Sequence, residues 1–251
     1  LAGFTTGVEN IFMGSNAGMS ITTGNGNVGI GFDVLKVHAT GQYNVAIGWK
    51  AMDDTNAGGN SANSNNNIAI GANALGGTWA NAVSEFNVAI GTNSMAGALN
   101  AAVQNTAVGV ESLQAVTEGD SNVAMGYTAL KALTTGTGNI AIGQRALLVH
   151  TTGGYNVVIG EGAMRDTDAG SNSLDSDHNV FIGWSSGGGT WTDAKSEFNT
   201  FVGGQSGAGS LENALYNAGL GYRAAEALTS GDSNVVVGGI SGHSLTSGTG
   251  N

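Results

Sequence analysis

The chain has 251 residues and a net charge of −11, and only 10% of its residues are charged. Seven Lys and Arg residues are too few for a phosphate-binding surface, and an acidic chain is a poor match for an anionic membrane, so nucleic acid and membrane partners are not expected. Without cysteine there is no disulfide framework and no thiolate metal site, and no apolar run approaches the roughly 18 residues of a membrane span.

An asparagine recurs along the whole chain at steps of 17, 18, 20 or 23 residues. The steps themselves repeat, so that six units make a super-repeat of 112 residues from Asn44 to Asn156. A fixed short period predicts a solenoid, in which each unit buries its apolar side against its neighbours. The recurring residues are Asn10, Asn27, Asn44, Asn67, Asn87, Asn105, Asn122, Asn139, Asn156, Asn179, Asn199, Asn217, Asn234 and Asn251.

In chain order, residues 1–43 are the end of one super-repeat, residues 44–155 are a complete copy, and residues 156–251 are an incomplete one. We predict one continuous solenoid over residues 1–251 with about 14 coils, one for each asparagine. The expected fold class is mainly β: a repetitive parallel β-solenoid with short helical turns.

The unit reads Asn-Val-Ala-Ile-Gly-x-x-Ala-Leu, followed by Thr-x-Gly, and is clearest at residues 122–138 and 139–155. We number its positions from the asparagine. Position four is always apolar and position five is glycine in all thirteen complete units. A short β-branched run between Asn and Gly predicts a strand, and stacked strands at about 4.8 Å would form a parallel sheet.

Both faces of this predicted strand are apolar. Positions two and four share one face, and position three, which is mostly Ala with Phe12, Phe181 and Phe201 as exceptions, lies on the other. One face would line the interior of the coil, and the other needs a cover. Because Ala permits close approach, we expect the same strand of neighbouring chains to cover it, giving a parallel homotrimeric fibre. The alternative is that the second half of each unit folds back as the cover.

The second half of the unit has two interpretations. Segments such as 110–119 and 127–136 space apolar residues three and four apart before a glycine, which suits one or two helical turns. A second short strand is the competing interpretation. The asparagine and the glycine of each unit have structural explanations, since a buried Asn can hold a coil corner and form a ladder, and Gly allows positive φ or close backbone contact.

The longer units carry the few side chains suited to binding. Trp79 and Trp191 occupy equivalent insertions 112 residues apart, at intervals of about 29 Å by the strand spacing, and are candidates for a surface that stacks on sugar rings. The structural alternative is that each indole fills the apolar core of its own loop.

Two further features point weakly to metal binding. Asp166, Asp168, Asp175 and Asp177 resemble a loose calcium loop, whose counterpart at residues 54–58 has one carboxylate fewer. Because the glutamate that closes an EF-hand is absent, a solvated polar turn is the favoured interpretation. His38 and His150 share a register, without a second type of ligand nearby, whereas His178 and His243 do not share it. We therefore expect no metal site, no cofactor and no catalytic residues.

The run from 122 to 136 resembles the repeats of tail-fibre-like proteins of bacteriophages and of long bacterial surface proteins with tail-fibre domains. Its Asn-Val-Ala-Ile-Gly core is similar to the head repeat of trimeric autotransporter adhesins, which form a trimeric left-handed parallel β-roll. The resemblance implies a trimeric extracellular fibre used in attachment. The units here, at 17 to 23 residues, are longer than the compact adhesin-head repeat.

Three classes of function follow. The regular repeats favour the structural shaft of an extracellular attachment fibre, on a virion or a cell surface, with the chain itself as partner. The alternative is a module that binds a host-surface glycan or receptor through the Trp-bearing loops. A polysaccharide-cleaving enzyme is the third class, but a chain with so few charged residues is poorly equipped for it, and we expect no enzyme.

Overall fold

The computed structural model describes residues 6–55, 63–80, 82–166, 175–191 and 194–251. This part of the chain is a parallel β-solenoid, which confirms the predicted mainly β fold class. Its internal contacts divide the chain into two compact units, residues 1–122 and residues 123–251. Each unit is described by itself, and the single continuous solenoid over residues 1–251 stays a prediction.

Every described strand has three residues and covers positions two to four of its repeat. Neighbouring strands within a unit pair in parallel and in register, so that Val45 lies beside Ile68 and Ala46 beside Ala69. The strands of the first unit are β1 Ile11–Met13, β2 Val28–Ile30, β3 Val45–Ile47, β4 Ile68–Ile70, β5 Val88–Ile90 and β6 Thr106–Val108. Those of the second unit are β7 Val123–Met125, β8 Ile140–Ile142, β9 Val157–Ile159, β10 Val180–Ile182, β11 Thr200–Val202, β12 Ala218–Leu220 and β13 Val235–Val237.

Position three of the strand faces the interior of the coil. Ala46, Ala89, Ala124 and Phe181 are fully buried within the single chain, whereas positions two and four are half-buried or exposed. The expectation that Ala at position three would pack against neighbouring chains is therefore wrong. The physical reason is that the wall opposite this strand comes from the same coil, so the side chain at position three packs inside its own chain.

Position nine forms that opposite wall. A larger side chain at position three is matched by a smaller one at position nine, and the reverse. Where position three is Ala, position nine is Leu or Met, as at Ala124 and Leu130. Where position three is Phe, position nine is Gly, and a Cβ added at Gly207 would come within 2.6 Å of the Phe201 ring. This swap keeps the interior filled at close-packed density from coil to coil.

The segments expected to form helical turns are not helical, and no described residue lies in an α-helix. Positions seven and nine have left-handed backbone, as at Lys50 (φ 53°) and Met52 (φ 51°), which a right-handed helix does not permit. Their N–H groups donate to neighbouring coils, with 2.9 Å from Lys50 N to Phe32 O and 3.0 Å from Met52 N to Ala74 O. This half of the unit is thus a second inter-coil ladder made of turns.

The glycine at position five is required by both conformation and space. Gly143 has a φ of +134°, and a Cβ there would lie 2.6 Å from the carbonyl carbon of Gly160 in the next coil. Only glycine tolerates both the left-handed backbone and this approach.

Candidate functional site

The recurring asparagines form a hydrogen-bonded ladder inside each unit, from Asn10 to Asn122 and from Asn139 to Asn251. Asn105 shows the pattern. Its Nδ2 donates to Asn87 Oδ1 at 3.2 Å and to Gly119 O at 2.7 Å. Its Oδ1 accepts from the backbone N of Asn122 at 2.9 Å and from Asn122 Nδ2 at 3.0 Å.

This arrangement satisfies the side chain within the protein. Between the two ends of the ladder in each unit, every asparagine is buried, and its own coil and the neighbouring coils pair its two amide hydrogens and two carbonyl lone pairs, as they do at Asn105. The ladder therefore joins coils, and its buried members present no group to an external ligand.

The ladder keeps its hydrogen-bond geometry when the length of the repeat changes. The bond from the asparagine N to the preceding Oδ1 is 3.0 Å across the 23-residue step to Asn67, 3.0 Å across the 20-residue step to Asn87 and 3.1 Å across the 18-residue step to Asn105. The extra residues of the longer units are accommodated elsewhere in the coil.

Trp79 and Trp191 are fully buried, so neither indole face is available to stack on a sugar. The candidate sugar-binding surface at these two residues is wrong, and the alternative that they fill the core of their coils fits the structure. Trp191 packs edge-on against Phe181, with ring centroids 5.8 Å apart, and Phe181 stacks on Phe201 at 5.4 Å. Neither indole N–H finds a hydrogen-bond partner within the described ranges. Residues 56–62, 81, 167–174 and 192–193 of the insertions lie outside those ranges.

His38 and His150 are buried core residues. His38 Nδ1 is 2.8 Å from Thr55 Oγ1, and His38 Nε2 is 3.1 Å from the Nδ2 of the ladder residue Asn44. His150 Nε2 is 3.4 Å from Asn156 Nδ2. Burial lowers the pKa of each imidazole to about 4, so that both are neutral at pH 7.

The described part of the calcium-like loop uses its carboxylates within the protein. Asp166 binds the guanidinium of Arg165 at 2.8 Å, and Asp177 accepts from Gly154 N at 2.5 Å. Asp175 accepts from Thr152 and lies 3.6 Å from Lys195 Nζ. Asp168 lies outside the described residues. Among the residues that are described, no group of three or more His, Asp and Glu side chains is placed to hold a metal ion.

Positions two and four of the strands form an apolar outer face on each unit. The exposed side chains on it keep between 36% and 66% of their surface accessible. In the second unit, Ala218 and Gly219 leave an apolar depression of about 210 Å³ bordered by Val202, Leu220 and Val237. The exposed members of the face are Ile11, Met13, Ile70, Ile90, Met125, Ile142, Leu220, Val235 and Val237.

A column of aromatic rings runs along one corner of the second unit. Tyr155, His178, Phe198 and Tyr216 stack at centroid distances of 5.0, 5.0 and 5.1 Å. Each ring immediately precedes a ladder asparagine, which is the sequence signal that could have revealed the column and given His178 a place in it. The rings cover one another, and Tyr155 lies against Gly138, so the column exposes mainly ring edges.

Comparison with known proteins gave no match to a family model, to a curated protein or to a solved structure. Within the described ranges, no helix has the length and apolarity that crossing a bilayer requires. The function therefore has to be argued from the solenoid and its surfaces.

Proposed function

We propose that this chain is a shaft segment of an extracellular attachment fibre, on a virion or a cell surface. The observation that supports the proposal most is the asparagine ladder, which fixes coil to coil within each unit by buried and fully paired amides. A protein built in this way gains length by adding coils, and each added coil needs only its neighbours for stability.

The chemistry of the described residues is consistent with a spacer. Among the buried titratable side chains, His38 and His150 have core positions and Asp33 is bound by Asn16 and Lys36. The buried asparagines belong to the ladder. The low content of charged residues points the same way, because a hydrolase site needs several acidic or basic groups in one groove.

We further propose that the chain assembles with copies of itself into a parallel trimer through the apolar outer face. This contact would be made by the outward-facing side chains at positions two and four, and not by the buried Ala at position three. Side chains such as Ile70 and Ile90 form a continuous apolar strip, since β4 and β5 pair in register. A parallel copy carries the same strip at the same strand spacing, so each apolar position meets an equivalent one.

Light scattering of the full chain tests this assembly. We expect a mass three times the 24.9 kDa of one chain. The double substitution Ile70→Lys/Ile90→Lys should lower the mass to that of one chain, because it places charges within the contact. Val110→Lys is the matched control, since Val110 is exposed but lies at position six, outside the face. A monomeric unsubstituted chain contradicts the trimer.

Electron microscopy of the same preparations tests the shaft. A chain that carries a second tandem copy of residues 44–155 should form a particle that is longer by about 29 Å, which is six coils at the strand spacing. Particles that thicken or become irregular instead of lengthening contradict a shaft.

A further inference from the structure

One surface groove in the second unit concentrates positive charge on this acidic protein. The groove has a volume of about 280 Å³ and is formed by three successive coils. It contains three of the seven basic residues of the whole chain. The described residues that line it include no carboxylate, and they are Tyr127, Thr128, Lys131, Arg145, Leu148 and Arg165.

The two arginines of the groove have hydrogen-bonding capacity to spare. The guanidinium of Arg145 is exposed and has no hydrogen bond or ion pair with any residue in the described ranges. Arg165 donates from Nε at 3.1 Å and from Nη2 at 2.8 Å to a single oxygen, Oδ2 of Asp166. Since a guanidinium has five N–H donors, Arg165 keeps three for a ligand.

The solenoid itself does not explain these charges. The equivalents of Lys131, Arg145 and Arg165 in the first unit are Met19, Asp33 and Asp53. The two aspartates there pair with lysines, at 3.0 Å from Lys36 and 3.7 Å from Lys50. Two of these scaffold positions thus carry aspartates in the first unit and arginines in the second.

The backbone conformation at Arg145 is common to all the coils. Position seven is left-handed in every described coil, and Arg145 has a φ of +59°. Asn and Asp tolerate this conformation best, and they occupy it at Asn16, Asp33, Asn73 and Asn93. Lys50, Gln205 and Arg223 adopt the same conformation, so the backbone does not dictate which residue stands at Arg145.

We propose that this groove binds an acidic saccharide through its carboxylate. Arg145 and Arg165 would grip the carboxylate with paired N–H donors, the geometry in which arginine recognises planar anions. The exposed ring of Tyr127 and the side chain of Leu148 supply an apolar surface for the C–H face of the sugar. The volume of about 280 Å³ is near the lower limit of ligand pockets, about 300 Å³, which suits one sugar residue.

This inference adds a ligand to the proposed shaft and does not depend on its assembly. The groove is made by positions six, seven and ten of the repeat, whereas the apolar outer face is made by positions two and four. The oligomeric mass and the binding measurement can therefore fail separately.

Isothermal titration of the full chain with a galacturonate trimer tests the proposal, beside neutral galactose trimer, inorganic sulfate and triglutamate. We expect the galacturonate trimer to bind at least tenfold more tightly than the other three. The substitution Arg145→Gln/Arg165→Gln should weaken its binding at least tenfold, and added salt should weaken it as well.

Arg223→Gln is the matched control. Arg223 also lies at position seven of the second unit, with a φ of +55°, but its Nε is held by Glu226 at 2.6 Å and it lies outside the groove. We expect this variant to bind galacturonate as the unsubstituted chain does. An equal loss in Arg223→Gln would show nonspecific attraction and overturn the proposal. Equal binding of sulfate or triglutamate would overturn its saccharide part, and absence of galacturonate binding would overturn all of it.

Discussion

At the scale of single residues, the fold depends on buried asparagine side chains whose donors and acceptors are all paired. The Asn105 side chain takes part in four hydrogen bonds that link three coils, and all of them are buried. An isolated buried hydrogen bond contributes about 1 kcal/mol, but a donor left unpaired costs about 1–3 kcal/mol. The ladder therefore makes the structure sensitive at each rung.

We expect Asn105→Ala to lower the free energy of unfolding by about 3 kcal/mol or more, because it removes the acceptor of both the N and the Nδ2 of Asn122. Chemical denaturation followed by circular dichroism measures the change. Asn100→Ala is the control, since the Asn100 amide binds Glu118 in an exposed contact. A loss of similar size in both variants would contradict the role given to the ladder.

Glycine at position five gives a second prediction. Gly143→Ala adds a Cβ 2.6 Å from Gly160 at a φ of +134°, so both strain and overlap should destabilise the second unit by several kcal/mol. Gly162→Ala carries only the backbone strain, because its φ is +63° and nothing lies within 4 Å of the added Cβ. Its expected loss is about 1 kcal/mol. Thermal melts that give equal losses for the two variants would show that the close approach between coils is unimportant.

At the scale of the coil, the exchange of volume between positions three and nine predicts compensation. Phe201→Ala alone should lose about 3–5 kcal/mol through the cavity that it leaves. Gly207→Leu alone should be destabilising, because the new side chain overlaps the Phe201 ring. The double variant restores the Ala and Leu pair found at Ala124 and Leu130, and should recover about 2 kcal/mol relative to the sum of the single changes.

A double-mutant cycle in denaturant measures this coupling. Phe201→Ala combined with Asn100→Ala is the control pair, because Asn100 is in another coil and should add independently. Additive losses in the Phe201 and Gly207 cycle would contradict a shared interior.

The strands could be predicted from the sequence, but their inner face could not be read from polarity alone. Val45, Ala46 and Ile47 are all apolar, so alternation gave no sign of which side is buried. The sequence signal that could have decided between the faces is the swap between position three and position nine, which links residues six apart across the coil. The helical expectation for residues 127–136 failed because apolar spacing of three and four also fits turns in which Thr128 and Leu130 are left-handed.

The prediction of a sugar-binding surface was wrong for a related reason. Trp79 and Trp191 lie in insertions, where a sequence suggests exposure, but the insertion folds its indole into the interior. The cationic groove was missed because Lys131, Arg145 and Arg165 come from three successive repeats. Only the stacking of their coils brings them to one surface. The ladder asparagines, in contrast, could be identified directly from their period.

At the scale of the whole molecule, the two buried histidines predict loss of stability in acid. The pKa of each is about 4 in the folded protein, below its ordinary value of 6.5. As pH falls below about 6.5, the unfolded chain takes up protons that the folded chain does not, and stability falls until pH reaches about 4. Each histidine accounts for about 3 kcal/mol over this window. His38 is in the first unit and His150 in the second, so both units should weaken together.

Thermal melts between pH 7 and pH 4 measure this dependence. The variant His38→Gln/His150→Gln should show a flatter profile over the window, even if it is less stable at pH 7. The substitution His243→Gln is the control, because His243 lies near the surface beside Ser244 and should leave the profile unchanged. A profile with the same slope in the double variant would assign the acid sensitivity to carboxylates.

The bonds from a ladder asparagine N to the preceding Oδ1 stay between 2.9 and 3.2 Å across steps of 17, 18, 20 and 23 residues, which has a consequence for how such a chain can change over generations. A short duplication or foreign peptide inserted late in one coil would not disturb the alignment of any later coil, because each rung restores the register. New loops can thus be acquired one at a time on the surface, while the packing of the coil interior is unchanged. The scaffold separates what must be inherited intact from what is free to diversify.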